Sequence, residues 1–461
     1  MNPVNNLTIN YRSARLRLSW VCLLLFCLYP LLLTPARAAA SSDGDKPAEY
    51  LLSVYTDRSN ALYHTSEAVR YDIKLEHNKQ PVTEGSVDWK ISKDGVAPFQ
   101  TGTVQLDNQG KATVTGHLDE PGFLQCQVTF KTGKETLTAL AGAGIDPTAI
   151  KPSLPAPEDF DQFWTEKKKQ LAAVPVNAKL TSVPPPPDRP GVATFEFQAD
   201  CIGQPARGYY ARPTGAKPKS CPALLYVEGA GVYPTDLLAP TRTAQHGILA
   251  LDLNAHGIPV GKPKEFYTDL ANGELKDYRT HGRESRETYY FLGMYLRALR
   301  GLDFLTAQPE WDGRTLIVEG VSQGGAQSLA ATALDPRVTF TVAIVAAQCD
   351  HSGPVIGRVA GWPKVVPIVN GKPDPTVLQA MRYFDNCNFA ARIKTPVYAW
   401  IGFLDTVCPP TAGYAALNQL QGPKTIINDP FRGHNAGGTG IWVEITKTID
   451  AYIAAQAKTA R

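Results

Sequence analysis

The chain carries little that would tie it to a metal, a nucleic acid or a membrane. Eight cysteines are scattered over 461 residues. They form no CxxC pair and no Cys/His run with zinc-ligand spacing, so a zinc module is excluded and no metal or organic cofactor is implied. Neither sign of charge is in excess. Lys and Arg number 46 against 43 Asp and Glu, and Arg12, Arg15, Arg17 and Arg37 all fall in the first 38 residues, which hold no acid. The remainder carries a formal charge of −1, which offers nucleic acid no electrostatic footprint. One long apolar run exists, LSWVCLLLFCLYPLLL (Leu18 to Leu33), and no second stretch is long enough to cross a bilayer. Three arginines precede that run, Pro30 interrupts it, and the small residues Ala36 and Ala38 follow it. Residues 1–38 therefore read as a signal peptide that is cut away, which predicts a secreted or periplasmic protein with no membrane attachment after signal removal. Cys22 and Cys27 would leave with it. Cys126 reads as a buried free thiol, and Cys201, Cys221, Cys349, Cys387 and Cys408 permit one or two disulfides whose pairing the spacing does not choose.

What is present divides into two regions of different period. From about 45 to 146, apolar residues alternate: Val69, Tyr71, Ile73, Leu75; Val87, Trp89, Ile91; Leu124, Cys126, Val128, Phe130. A period of two means strands with one buried face, and the turn signals HNK, KDG, DNQG, DEPG and KTGK separate them. An immunoglobulin-like all-β sandwich fits that spacing. No motif in it carries chemistry, so it reads as a spacer or docking module, and as dispensable for chemistry that the rest of the chain performs on soluble substrates. Residues 147–157, with Pro147, Pro152, Pro155 and Pro157, read as a linker. From 158 to 461 the pattern becomes α/β. DFDQFWTEKKKQL predicts an amphipathic helix with Phe160, Phe163 and Trp164 on one face. The apolar runs ALLYVEG, GILALDL, RTLIVEG, FTVAIVAA, PVYAWIG and TIIND predict a mostly parallel sheet with helices on both faces.

Within that second region stands EGVSQGGAQS. Ser322 lies between the strand RTLIVEG and the helix AQSLAATAL, the strand-turn-helix setting in which G-x-S-x-G makes a nucleophile elbow. A serine hydroxyl needs a base and the base an orienting acid, in the chain order Ser, acid, His. His434, after TIIND and before the last helix, fits the base better than His351. Asp405, leaving the end of PVYAWIGFLD, fits the acid, with Asp350 as its rival. Two backbone N–H groups should face the reacting carbonyl: that of Gln323, next after the serine, and that of Ala230, in the loop after LLYVEG. Tyr233, His256, Phe266, Tyr267 and Trp362 are candidates for the pocket wall. The long connections that carry several of them, together with Tyr278, leave strand ends near the serine. GAG at 229–231 is too incomplete for a dinucleotide loop.

PEDFDQFW, GVSQGG, YFDNCNFAARIKTPVYAWIGFLDTVCPP and GHN together resemble the acetyl xylan esterase and cephalosporin C deacetylase family, carbohydrate esterase family seven, over about 300 residues. The resemblance implies an α/β-hydrolase serine esterase acting on acetylated xylan, oligosaccharides or small acetyl esters, with Ser322, Asp405 and His434 as the triad, Gln323 and Ala230 at the oxyanion positions, and a homo-oligomer left open. Other activities of the same fold (peptidase, lactonase, longer-acyl esterase) and a non-catalytic carbohydrate-binding protein are the alternatives. The chain departs from the family pattern at three places. His256 and Gly257 replace its Arg-Gly-Gln, Glu228-Gly229-Ala230 replaces its His-Gly-Tyr, and Asn435 follows His434 in place of Glu.

Overall fold

The computed structural model describes residues 50–133, 135–435 and 439–459, so the proposed leader lies outside the described residues. The first nine strands are β1 (Tyr50–Thr56), β2 (Leu62–Tyr63), β3 (Val69–His77), β4 (Gln80–Pro81), β5 (Ser86–Lys93), β6 (Pro98–Gln105), β7 (Lys111–Gly116), β8 (Gly122–Lys131) and β9 (Thr136–Ile145). They form two sheets. One runs β1-β3-β4 with β7 beside β3, and the other runs β2-β9-β8-β5-β6. The alternation seen in sequence is the burial pattern of β3, whose Val69, Tyr71, Ile73 and Leu75 point inward and meet Val87, Ile91, Cys126 and Val128 of the other sheet in one core, whereas Gly122–Cys126 of β8 are buried on both faces. This region is therefore β-rich, with two sheets over a shared core.

The segment at 147–157 is held along its length. Ile150 is 1% exposed, and the Asn418 side-chain amide donates to the carbonyls of Pro147 and Ile150, both at 2.9 Å. Ser153 donates from its backbone N–H and its hydroxyl to the two carboxylate oxygens of Asp350. Proline density limited this stretch to extended and turn backbone, and the neighbouring groups then satisfied its exposed polar atoms.

Next comes α1 (Phe160–Ala172), whose buried residues are Phe160, Phe163, Trp164 and Leu171. Nine strands then make one sheet: β10 (Lys179–Val183), β11 (Val192–Ala199), β12 (Ala206–Pro213), β13 (Cys221–Val227), β14 (Leu249–Leu253), β15 (Trp311–Val321), β16 (Phe340–Ile344), β19 (Val397–Gly402) and β20 (Lys424–Asp429), with a small hairpin β17 (Ile368–Val369) and β18 (Lys372–Pro373) outside it. The order is β10-β11-β12-β14-β13-β15-β16-β19-β20. The pairs from β14 to β20 are parallel, as the apolar runs predicted. The pairs β10/β11, β11/β12 and β12/β14 are antiparallel, so the sheet is mixed.

The intervening helices are α2 (Leu238–Gln245), α3 (Lys264–Asn272), α4 (Tyr290–Thr306), α5 (Gln323–Leu334), α6 (Pro375–Met381), α7 (Asn386–Ala390) and α8 (Pro410–Leu417). α1, α4 and α5 share a core with the sheet through Trp164, Tyr295, Leu302, Ala330 and Leu334. On the opposite face α9 (Thr439–Thr459) lays Ile441, Ile445 and Ile449, spaced four apart on one stripe, against Ile317, Val342 and Ile344. Each such isoleucine contributes about 1.5–3 kcal/mol by leaving water. Among the described residues Cys126, Cys201, Cys221, Cys349, Cys387 and Cys408 are all free, so none of the permitted disulfides is formed.

Candidate active site

Strand β15 ends at Val321 and helix α5 begins at Gln323, and Ser322 between them sits at φ 59°, ψ −117°. A non-glycine residue there is strained by about 1–3 kcal/mol. The neighbours make the turn possible. A Cβ on Gly320 would fall 2.3 Å from the carbonyl carbon of Gly324, and one on Gly324 would fall 2.0 Å from the Val227 oxygen. Backbone bonds then lock the serine: its N–H donates to Ile344 O at 2.8 Å, and its carbonyl accepts from Ala326 and Ala347, each at 3.0 Å.

Asp405 follows β19 in the tight turn Gly402–Asp405, and His434 follows β20. The loops are tied to one another, because Leu404 N–H donates to Arg432 O at 2.9 Å. His434 Nε2 lies 2.8 Å from Ser322 Oγ, and His434 Nδ1 lies 2.8 Å from Asp405 Oδ2. The other oxygen of the fully buried Asp405 accepts the N–H groups of Val407 and Cys408 at 2.8 Å each. With Asp405 accepting only, Nδ1 carries the proton and Nε2 is free to take one from Ser322. The rival groups are occupied elsewhere. Asp350 binds Ser153, and buried His351 turns Nε2 to Gln348 Oε1 at 2.5 Å, with burial lowering its pKa to about 3.

The loop after β13 lies beside this chain of bonds. Ala230 N–H has no hydrogen-bond partner among the described residues, and Gln323 N–H opens α5, where the first turn of any helix leaves its N–H groups unpaired within the helix. The loop between them is held by groups that no sequence pattern announces. Gly231 N–H donates to Tyr278 Oη at 3.2 Å, and that hydroxyl donates to Gln323 Oε1 at 2.6 Å. The Gln323 amide donates to Gly229 O at 3.3 Å, and the Tyr233 hydroxyl does so at 3.0 Å. His256 Nε2 meets Gly231 O at 2.8 Å, and its Nδ1 meets the Tyr290 hydroxyl at 2.9 Å. A carbonyl only accepts, so Nε2 carries the proton and Nδ1 accepts from Tyr290.

Two pocket-wall candidates are therefore corrected. His256 is 2% exposed and spends both ring nitrogens under the loop, and burial lowers its pKa to about 4. Tyr267 is likewise 2% exposed, because its hydroxyl turns inward to donate to Pro259 O and accept from Lys262 N–H. Phe266 is half-buried beside it. Trp362 packs against Cys408 and Val407 next to the Asp405 loop, and Tyr233 remains 36% exposed.

Two side-chain clusters have the composition of a metal site. The ligand atoms of Asp405, Cys408 and His434 lie within 4.8 Å of one another, as do those of Asp350, Asp385 and Cys387. Both are spent on protein partners. The first holds the bonds above, and Asp385 accepts the N–H groups of Asp350, His351 and Cys387.

A mixed sheet of this order with a serine elbow after β15 defines an α/β-hydrolase. The chain belongs to the acetyl xylan esterase family, whose model matches residues 148–447, and is a carboxylic ester hydrolase. It is 30% identical to the acetyl esterase Axe7A of Xylanibacter ruminicola, over 89% of this chain and 92% of that one. An acetyl xylan esterase from a Paenibacillus species is 26% identical, with a TM-score of 0.57, over 66% of this chain and 98% of its own. Acetyl xylan esterase 1 from a Thermoanaerobacterium species shares the fold at 21% identity and a TM-score of 0.54, again over 66% and 98%.

Proposed function

We propose that this chain is a secreted serine esterase that removes acetyl groups from acetylated xylan, oligosaccharides or related small esters through an acyl-enzyme. Ser322 attacks the acetyl carbonyl, His434 takes its proton and later returns it to the leaving alcohol, and Asp405 holds the imidazole and stabilises its charged form. The backbone N–H groups of Gln323 and Ala230 receive the developing oxyanion. The relay from Ser322 through His434 to Asp405, 2.8 Å at each step, carries the reading. The arginine-led apolar run supports export, and the alternating strands of 50–145 support an immunoglobulin-like accessory domain.

The test is kcat/KM on aryl acetate, butyrate and octanoate alongside release of acetate from acetylated xylan. An acetyl slot overfilled by longer chains loses about 1–3 kcal/mol, roughly ten- to a few-hundred-fold in rate. A profile rising toward octanoate would refute the acetyl preference and leave the triad intact. Failure of a fluorophosphonate to label Ser322 would refute the triad itself.

A further inference from the structure

The two β-sheets at 50–145 do not stand apart from the catalytic unit. β8, β9 and the β5–β6 turn rest on the two loops that carry Asp405 and His434. Gln125, on β8 and 3% exposed, donates its side-chain amide to Phe403 O at 3.1 Å, two residues before Asp405. Asp94, in the β5–β6 turn and 2% exposed, accepts the Thr411 hydroxyl at 2.7 Å and the Thr411 N–H at 3.4 Å at the start of α8. Gly142 on β9 donates its N–H to Pro430 O at 2.9 Å, four residues before His434. The approach at Gly142 leaves no room for a side chain, since a Cβ there would fall 2.5 Å from Phe403 Cβ. Apolar contacts fill the joint. Phe123 sets its ring edge-on to Phe403 at 4.8 Å and lies 5.5 Å from Tyr414, and Tyr55 meets Phe431 at 5.6 Å.

Every one of these contacts falls on 403–414 or 430–431, the segments that flank the acid and precede the base. Two polar side chains are buried to make them, which costs stability unless each finds its partner. Both solved relatives described above match 98% of their own length on only 66% of this chain, so they carry no counterpart of a region this large. The 30%-identical acetyl esterase is matched over 89% of this chain, and the unmatched remainder is too short to leave out the whole region.

We propose that the N-terminal β-region is a built part of the active site: Gln125, Asp94 and Gly142 are positioning residues that hold the Asp405 and His434 loops in register with Ser322. The proposal rests on the triad reading. It replaces the expectation that this region is dispensable for soluble esters. Catalytic groups displaced by a fraction of an ångström to about 1 Å lose up to roughly a hundredfold in rate. The loss falls on kcat, because both side chains are buried and act through the loops.

The experiment uses the full chain with a soluble aryl acetate. Asp94→Gly removes the carboxylate without strain, since Asp94 sits at φ 51° and glycine takes that conformation freely. Asp94→Asn keeps an oxygen for both Thr411 bonds. Gln125→Leu removes the donor to Phe403 at similar volume. Val128→Ala weakens the core between the two sheets without touching either loop. Asp94→Gly and Gln125→Leu are expected to lower kcat about ten- to a hundredfold with KM within about twofold, while Asp94→Asn and Val128→Ala retain wild-type kcat. If Gln125→Leu does not fold, the Asp94 pair alone decides. Wild-type kcat in folded Asp94→Gly, or an equal loss in Val128→Ala, overturns the proposal. Ser322→Ala is run beside them: full activity in it overturns the triad, whereas an inactive Ser322→Ala with unaffected Asp94→Gly overturns only the positioning role.

Discussion

Asp405→Asn tests the proposed relay at its most geometrically determined point. One carboxylate oxygen accepts Val407 and Cys408 N–H and the other faces His434 Nδ1 at 2.8 Å. An asparagine keeps its oxygen where two N–H groups point, which turns its NH2 toward Nδ1. Two donors cannot share that contact, so the imidazole must move its proton to Nε2, the nitrogen that faces Ser322 Oγ. The ring then donates where it should accept, and general-base catalysis is lost. In serine hydrolases the wrong tautomer costs about ten-thousand-fold in kcat, or about 5.4 kcal/mol of transition-state stabilisation. The control is Asp350→Asn, which disturbs the bonds to Ser153 and the ion pair with Arg358 and touches no member of the relay. It costs about 1–3 kcal/mol of stability and leaves kcat near wild type. Steady-state turnover of an aryl acetate, with circular dichroism to establish folding, reads both. An Asp405→Asn enzyme within about tenfold of wild type, or a larger loss at Asp350, would refute the relay.

Two further outcomes follow from the buried polar groups. His256→Phe fills the ring's volume but leaves Gly231 O and the Tyr290 hydroxyl without their partner, so the loop bearing Ala230 loosens; kcat falls roughly ten- to a hundredfold, and His256→Gln, which can still donate to Gly231 O, recovers most of it. Burial also raises Glu228 to about 8, Glu319 to about 7 and Asp385 to about 7. The folded protein therefore holds protons that the unfolded chain releases near its ordinary carboxylate values. The stabilisation is complete below those values and is lost as pH rises through about 7–8. Thermal melts between pH 5 and 9 should show Tm falling over that window, and Glu319→Gln should flatten the fall; a Tm that rises from pH 6 to 9 would contradict the burial argument.

The elements that sequence made legible are those whose signal is local. Ser322, Asp405 and His434 each follow an apolar strand, and a parallel sheet brings the ends of its strands to one edge whatever the rest of the chain does. Alternation exposed Tyr71, Ile73 and Cys126 as inward-facing for the same reason: a period of two is a property of the strand alone. The antiparallel pairs β10/β11 and β11/β12 were less legible, since pairing direction depends on the connection and not on side-chain pattern. Tyr278, Tyr290 and His256 could not be read as loop supports either. Their partners (Gly231 and Gln323 for Tyr278, Gly231 for His256, His256 for Tyr290) are 25 to 47 residues away and are reached only through the tertiary fold. Gln125 meets Phe403 across 278 residues, and no spacing rule spans that distance.

Strain at Ser322 supplies the remaining argument. Its φ of 59° with ψ −117° is a conformation that glycine adopts far more readily than any residue with a Cβ. The turn persists because Gly320 and Gly324 let β13, β15 and α5 close around it, and because Ile344 O of β16 and Ala347 N–H of the loop after it hold the serine backbone. Those contacts are indifferent to the hydroxyl, so under the proposed triad the strained backbone serves the placement of Oγ and not stability. Ser322→Gly should then be more stable than Ser322→Ala by about 1 kcal/mol, the part of the strain that Cβ causes. Both should be inactive, with kcat down about a million-fold. Chemical denaturation compares the two directly. If Ala equals or exceeds Gly, the turn is not strained by its Cβ, and the elbow's geometry would need another cause.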